Sequence, residues 1–364
     1  MSRAFGSPGK YIQKRGELRR IGIHVEPLGH RALVLIDGVM FDRLKPLLME
    51  SLDERATVFL SFGGECTRAE IERVTRAVRS ASADVLVAVG GGKTIDAGKA
   101  AAVNTGARMV IVPTIASTDA PCSAVAVIYT ERGVMEEAVM LPRNPDVVVV
   151  DPEVIVAAPV RYLVSGMGDA LSTWYEARSN MDSRTNNLVA GGYPRALAGI
   201  AIAKLCHEIL MRDALPAKAA AEKGLCTPAV ENIIEVNTLL SGLGFENCGC
   251  SSAHGIHDGL TKLEESRAFL HGEKVAFGTL CLLVLEGRDR SEIESAIKFC
   301  RSIGLPSTLA DLMIVENVEA KVTKVAEAAM AVPGSLIYRT PVELSIALVR
   351  DSILGLDAFA RGLA

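Results

Sequence analysis

Between residues 31 and 152 the chain repeats one pattern, a short apolar run followed by a stretch with helical spacing. The runs are RALVLIDG (31–38), ATVFLSFGG (56–64), DVLVAVGGG (84–92), RMVIVPT (108–114) and DVVVVDP (146–152). Near-continuous runs of this length, rich in Val, Leu and Ile, are what strands buried on both faces require. Between them, Thr67 and Glu70 form a T-x-x-E capping box that predicts a helix to about Ser80, and GKTIDAGKAAAVNTG reads as a second helix closed by glycine. The alternation predicts a parallel sheet covered by helices. AVAVIYTERGVMEEAVM interrupts it as a hairpin turning at Arg132–Gly133.

After Pro152 the texture changes. KLCHEILMRDAL, AVENIIEVNTLLSGLG and EKVAFGTLCLLVLEG carry helical spacing, and strand alternation almost disappears. We therefore expect an α/β domain over residues 1–151 and an all-α domain over 152–364, with the cleft between them as the default place for a site.

At 364 residues and 49% hydrophobic content, the chain is long and apolar enough for two cores. Its net charge of −4 excludes the basic face that nucleic acid demands. No apolar run approaches the roughly 20 residues that span a bilayer, and no membrane role is expected. The start, MSRAFGSPGKYIQKRGELRR, lacks an apolar signal core, and the eight scattered cysteines read as reduced thiols, so the expected compartment is cytoplasmic.

VAVGGGKTIDAGKA matches neither familiar phosphate pattern. The P-loop needs glycine where Val87 stands, and the dinucleotide fingerprint needs a small residue where Ile95 stands. Three glycines, Gly90, Gly91 and Gly92, still leave a strand and enter a helix. Their N–H groups can approach a diphosphate at the positive helix end, with Lys93 and Thr94 adding a charge and a hydroxyl. The bland alternative is a tight strand–helix turn without ligand. Asp37, at the end of the first run, is either an acceptor for a ribose diol, favouring NAD over NADP, or a turn residue before Gly38.

SSAHGIHDG (251–259) holds His254 and His257, two of only six histidines. Together with VGGGKTID, PTIASTDAPCSA (113–124), SGMGDALSTWYEA (165–177), LPRNPDVVVVDP (141–152), TLLSGLGFE (238–246) and FLHGEKVAFG (269–278), it resembles the glycerol dehydrogenases of the iron-containing alcohol dehydrogenase superfamily. The resemblance runs from about Phe5 to Gly355.

That resemblance implies a dehydroquinate synthase-like fold, a dinucleotide-binding α/β domain followed by a helical metal- and substrate-binding domain. It carries the metal ligands to Asp169, His254 and His271, which suits zinc: three protein ligands leave a fourth position open, as catalytic sites do. Iron-dependent relatives add a histidine one turn after the aspartate, where this chain has Thr173. The expectation is therefore one Zn2+ per subunit, with NAD as cofactor. The implied reaction oxidises glycerol to dihydroxyacetone, with His254 and His271 beside the substrate.

Asp119 maps onto the acid that contacts substrate. Ser123, Val125 and Tyr129 map onto the nicotinamide side, and Thr114 and Ser117 onto adenosine and diphosphate contacts. The family commonly forms homo-oligomers. His257 receives no ligand role, and is either a supporting residue or a substrate contact. His24, His30 and His207 read as structural, Cys248 and Cys250 as packing residues.

The rivals are a dehydrogenase of another small diol or polyol, a glycerol-1-phosphate dehydrogenase, and a non-catalytic NAD sensor. A phosphate-binding relative would need extra Lys or Arg near the site, where mainly small and acidic residues stand beside Lys93 and Lys274.

Overall fold

The computed structural model describes residues 2–53 and 56–363. Among the described residues eight strands form two sheets: β1 (Lys10–Gln13), β2 (Ala32–Ile36), β3 (Thr57–Ser61), β4 (Val85–Gly90), β5 (Arg108–Pro113), β6 (Val125–Tyr129), β7 (Met135–Met140) and β8 (Val147–Val150). Six of them make one parallel sheet in the order β1-β8-β5-β4-β2-β3, while β6 and β7 pair antiparallel.

The helices are α1 (Gly22–Val25), α2 (Phe41–Met49), α3 (Arg68–Ala81), α4 (Gly92–Thr105), α5 (Pro152–Val156), α6 (Val160–Asp182) and α7 (Leu197–Ala221). They continue as α8 (Pro228–Glu235), α9 (Ser241–Cys248), α10 (Ser252–Leu260), α11 (His271–Leu285), α12 (Arg290–Ile303), α13 (Val318–Met330) and α14 (Ile346–Gly362).

The chain divides into two compact units. One comprises Gly6–Pro159 with Gly224–Cys226, and holds both sheets. The other comprises Met1–Phe5, Val160–Lys223 and Thr227–Ala364, and is helical. The change of periodicity in the sequence lies at Asp151, and the units change over eight residues later. Asp151 explains the offset: its carboxylate caps α5 through Glu153 N and also accepts from Gly16 N and Leu18 N, so α5 stays with the sheet.

The central strands are buried along their whole length, and parity decides which layer each residue enters. Val34, Ile36, Val85, Val87, Val89, Val110 and Val149 face Leu18, Ile21, Leu44 and Leu48. Leu33, Leu35, Leu86 and Met109 face Ile71, Val74, Val78, Ala97 and Ala101. This two-sided burial is why the runs lack polar alternation.

One strand goes unread in the sequence, and one local expectation needs correction. β1 carries no strand signature, because it is a four-residue edge; it gains strand geometry only by pairing with β8, Lys10 opposite Val147. The capping box at Thr67 is half formed. Thr67 Oγ1 accepts from Glu70 N at 3.1 Å, but the Glu70 carboxylate turns to Gly63 N at 2.8 Å and to Arg73. The hairpin turns where expected, with Gly133 at φ 70° and Thr130 N donating to Val134 O.

Candidate active site and metal centre

Helices α6, α10 and α11 of the helical unit bring three ligand-bearing residues together. Asp169 lies midway along α6, His254 near the start of α10, and His271 is the first residue of α11. Their approach depends on glycine. A Cβ at Gly272 would fall 1.8 Å from Ser165 O of α6, and one at Gly278 would fall 2.3 Å from Ala253 O of α10. Backbone contact at both points leaves no volume for a side chain.

Both imidazoles aim Nε2 at one oxygen. His271 Nε2 is 3.2 Å and His254 Nε2 3.6 Å from Asp169 Oδ1. The opposite ring nitrogens are engaged. His254 Nδ1 lies 2.7 Å from Glu176 Oε2, and His271 Nδ1 lies 3.0 Å from His257 Nε2. A carboxylate can only accept, so Nδ1 of His254 carries a hydrogen and, once the ring is neutral, its Nε2 presents a lone pair. The ligand atoms of Asp169, His254 and His271 lie within 4.8 Å of one another, a set that could hold a metal ion.

Glu176 is the part of this centre the sequence reading missed. It sits seven residues after Asp169, two turns along the same face of α6, and only 1% of its surface is exposed. Besides the His254 ring, it accepts Ser251 N at 2.8 Å and His254 N at 3.0 Å, fixing the first turn of α10. The spacing in GDALSTWYE was the available signal. Cys250 also lies within ligand distance of Glu176 and His254, whereas Cys248 does not share that group. All eight cysteines are free thiols.

The charges are set by what surrounds them. Burial pushes the Asp169 carboxyl up, but His271 and His254 outweigh it and hold the group well below the usual carboxylate range. Burial pulls the His254 ring down, while Cys250, Glu176 and Asp169 draw it up, and the upward pull wins. His257 is governed by burial, reinforced by its neighbour His271, and falls to about 3. Thr173 is buried with its hydroxyl 2.9 Å from Ser241 Oγ, so the residue standing for the extra iron-type ligand is committed elsewhere.

The expected cofactor residues lie in the sheet-bearing unit. Gly91 is the N-cap of α4 and supplies no side-chain cap, leaving the first N–H groups of a 14-residue helix available. Gly90 must be glycine because a Cβ would fall 2.7 Å from the Thr94 side chain. Thr94 is buried, and its hydroxyl donates to Asp37 Oδ2 at 3.3 Å; Asp37 Oδ1 accepts from Val39 N. Asp37 thus caps the turn at Gly38.

Lys93 pairs with Glu65 at 2.6 Å and stacks 5.1 Å above the Tyr129 ring. The segment after β5 returns to the glycine turn, with Thr114 N donating to Gly90 O at 3.0 Å and Ile115 against Gly91. Thr114, Ser117 and Ser123 are buried, while Asp119, Val125 and Tyr129 are half-buried. Among the described residues no helix is long and apolar enough to cross a membrane.

A buried carboxylate and two imidazoles, each ring engaged at its opposite nitrogen, form a set that could hold a metal ion in the helical unit, and the sheet-bearing unit carries an uncapped glycine turn. The model of the iron-containing alcohol dehydrogenase family matches residues 8–152. Over 359 residues the chain is 40% identical to a glycerol dehydrogenase of Pseudomonas putida, covering 98% of each protein. It is 41% identical over 363 residues to a glycolaldehyde reductase of Halobacterium salinarum, covering 99% of each. A crystal structure of a probable glycerol dehydrogenase from Sinorhizobium meliloti superimposes with a TM-score of 0.96 at 63% identity, over the whole of both chains. The chain belongs to the iron-containing alcohol dehydrogenase family, and it is an oxidoreductase.

Proposed function

We propose that this protein oxidises glycerol at its secondary carbon to dihydroxyacetone and passes the hydride to NAD, using zinc held by Asp169, His254 and His271. The observation that carries the reading is the convergence of the two Nε2 atoms on Asp169 Oδ1, with Glu176 and His257 engaging the opposite ring nitrogens. Asp169, His254 and His271 would hold the zinc, which would supply a Lewis acid able to make an alcohol hydroxyl acidic near neutral pH. NAD supplies the hydride acceptor.

The chain's own residues do the rest. Asp169 stays ionised because the two imidazoles hold its carboxyl low. Glu176 fixes the tautomer and orientation of His254, and His257 does the same for His271. The uncapped start of α4 offers N–H groups to the cofactor's diphosphate, flanked by Thr114 and Ser117. Asp37, held by Thr94 and Val39, accepts the ribose hydroxyls and repels a 2′-phosphate. Asp119 holds a glycerol hydroxyl, and Ser123, Val125 and Tyr129 line the nicotinamide side. In this reading the sheet-bearing unit is the NAD-binding domain and the helical unit holds metal and substrate. The eight free thiols suit a cytoplasmic location, and the homo-oligomer follows from the family resemblance alone.

The glycolaldehyde reductase relative supports a second reading, in which the same site reduces a small hydroxyaldehyde with NADH. One experiment tests both. NADH formation from glycerol is followed before chelation, after it, and after zinc is restored; NADH consumption with dihydroxyacetone and with glycolaldehyde is run alongside. Loss on chelation and return with zinc, with glycerol the better alcohol, is the expected result. Turnover indifferent to chelation overturns the metal assignment, and a marked preference for glycolaldehyde overturns the substrate.

A further inference from the structure

Among the described residues Lys99 is one of the largest side chains with no exposed surface, and nothing in the metal centre or the glycine turn uses it. It lies on α4, one turn after Asp96, and its Nζ is 2.9 Å from Asp96 Oδ1. The same ammonium donates to Ala120 O at 3.0 Å, to Ser123 O at 3.3 Å and to Val125 O. Asp96 Oδ2 accepts from Val127 N at 2.9 Å.

A buried ammonium is costly unless it is paired and its hydrogens are taken up. Here every partner besides Asp96 comes from one stretch of chain, residues 120–125. Ala120 and Ser123 lie in the irregular connection from β5 to β6, and Val125 opens β6. An irregular buried segment needs other donors for its carbonyl groups, and Lys99 is that donor. Asn144 adds one more bond, to Cys122 O at 3.1 Å. The front of the connection is tied separately, by Thr114 N to Gly90 O. Asp119 stands between these two anchorages, next to Ala120.

The geometry points to Lys99 and Asp96 as positioning residues that fasten the 114–127 segment onto helix α4, and so set where Asp119, Ser123 and Val125 stand. The inference rests on the proposed function for what those three residues do, but not for the fastening itself. A charged pair suits this task better than packing would. Its bonds are directional and charge-assisted, and they fix the carbonyls of three residues relative to the helix whose first turn carries the glycines.

The test uses the zinc-loaded full-length protein and its Lys99→Met variant, with Asp96→Asn/Lys99→Met as the second variant, since it removes the carboxylate that Lys99→Met alone would strand. Amide hydrogen exchange is measured along the chain, with kcat and KM for glycerol and NAD per folded molecule. We expect faster exchange confined to residues 114–127, unchanged exchange in α6, α10 and α11, and unchanged zinc content. We also expect glycerol kcat/KM to fall about ten- to a hundredfold, the scale of a displaced contact residue. Should Lys99→Met not fold, the double variant gives the same reading.

A uniform rise in exchange with kinetic constants unchanged per folded molecule would reduce the pair to a structural role and overturn the inference. Failure of the functional reading shows differently. The unmodified protein would then form no NADH from glycerol, while the exchange experiment still decides the fastening: a local rise upholds it and a uniform one sinks it.

Discussion

His257 stands between His271 and Asp258, its Nε2 3.0 Å from His271 Nδ1 and its Nδ1 3.0 Å from Asp258 Oδ1. The Asp258 carboxylate accepts the Nδ1 hydrogen of His257, so His257 Nε2 must accept in turn from His271. That assigns the His271 hydrogen to Nδ1 and leaves Nε2 facing Asp169. Removing the relay should therefore loosen the metal without touching the ligands. His257→Ala should lower zinc affinity about 10- to 100-fold, while His257→Gln, which keeps an acceptor, loses less. Competition with a chromophoric chelator measures this; equal retention of zinc by wild type and His257→Ala would refute the relay.

Glu176 has the corresponding role for His254, with an added structural share. Glu176→Ala strands the Ser251 and His254 amides in a buried site, at about 1–3 kcal/mol for each unsatisfied group. Chemical denaturation should show a loss of that order, together with reduced zinc affinity. Glu176→Gln keeps the shape but turns an amide hydrogen pair toward groups that also donate, and should recover stability only in part.

The pH dependence follows from the protons that compete with the metal. In metal-free protein His254 titrates well above its ordinary 6.5, so its stabilising contribution is full below that value and fades as pH rises through the raised one. Asp169 is depressed; its contribution is present above its ordinary 3.8 and stays constant across neutral pH. Zinc needs deprotonated imidazole, so its contribution grows as the proton's declines. The zinc-induced rise in Tm should accordingly be larger at about pH 8.5 than at about pH 6. Equal shifts at both would show that His254 holds no proton the metal must displace.

Gly272→Ala tests the contact that seats α11 on α6. The new methyl would meet Ser165 O at 1.8 Å, so the helices must separate. A cost of about 1–3 kcal/mol or more is expected, as for other overpacked cores. Because His271 is the adjacent residue, zinc should be lost as well. A stable variant with full zinc content would mean the helices can part without moving the ligands.

Much of this protein is legible in the chain itself. The apolar runs specify the parallel sheet because strands buried on both faces tolerate no polar alternation, and parity along β2 and β4 then sorts Val34 from Leu33 into opposite layers. Asp169, His254 and His271 each sit in a recognisable motif. What the linear sequence leaves open is set by partners distant along the chain. β1 is a strand only because β8 lies beside it. Glu70 leaves its capping box because Gly63 and Arg73 are nearer. Glu176 and His257 become braces because α11 closes onto α6 at Gly272 and onto α10 at Gly278, and Lys99 finds its carbonyls only after β5 and β6 are in place. Local spacing encodes which face of an element is apolar, so fold and motifs can be read in advance. Hydrogen-bond partners 78 or 14 residues apart, as for His254 with Glu176 and His271 with His257, exist only once packing has removed water and brought them within 3 Å of each other.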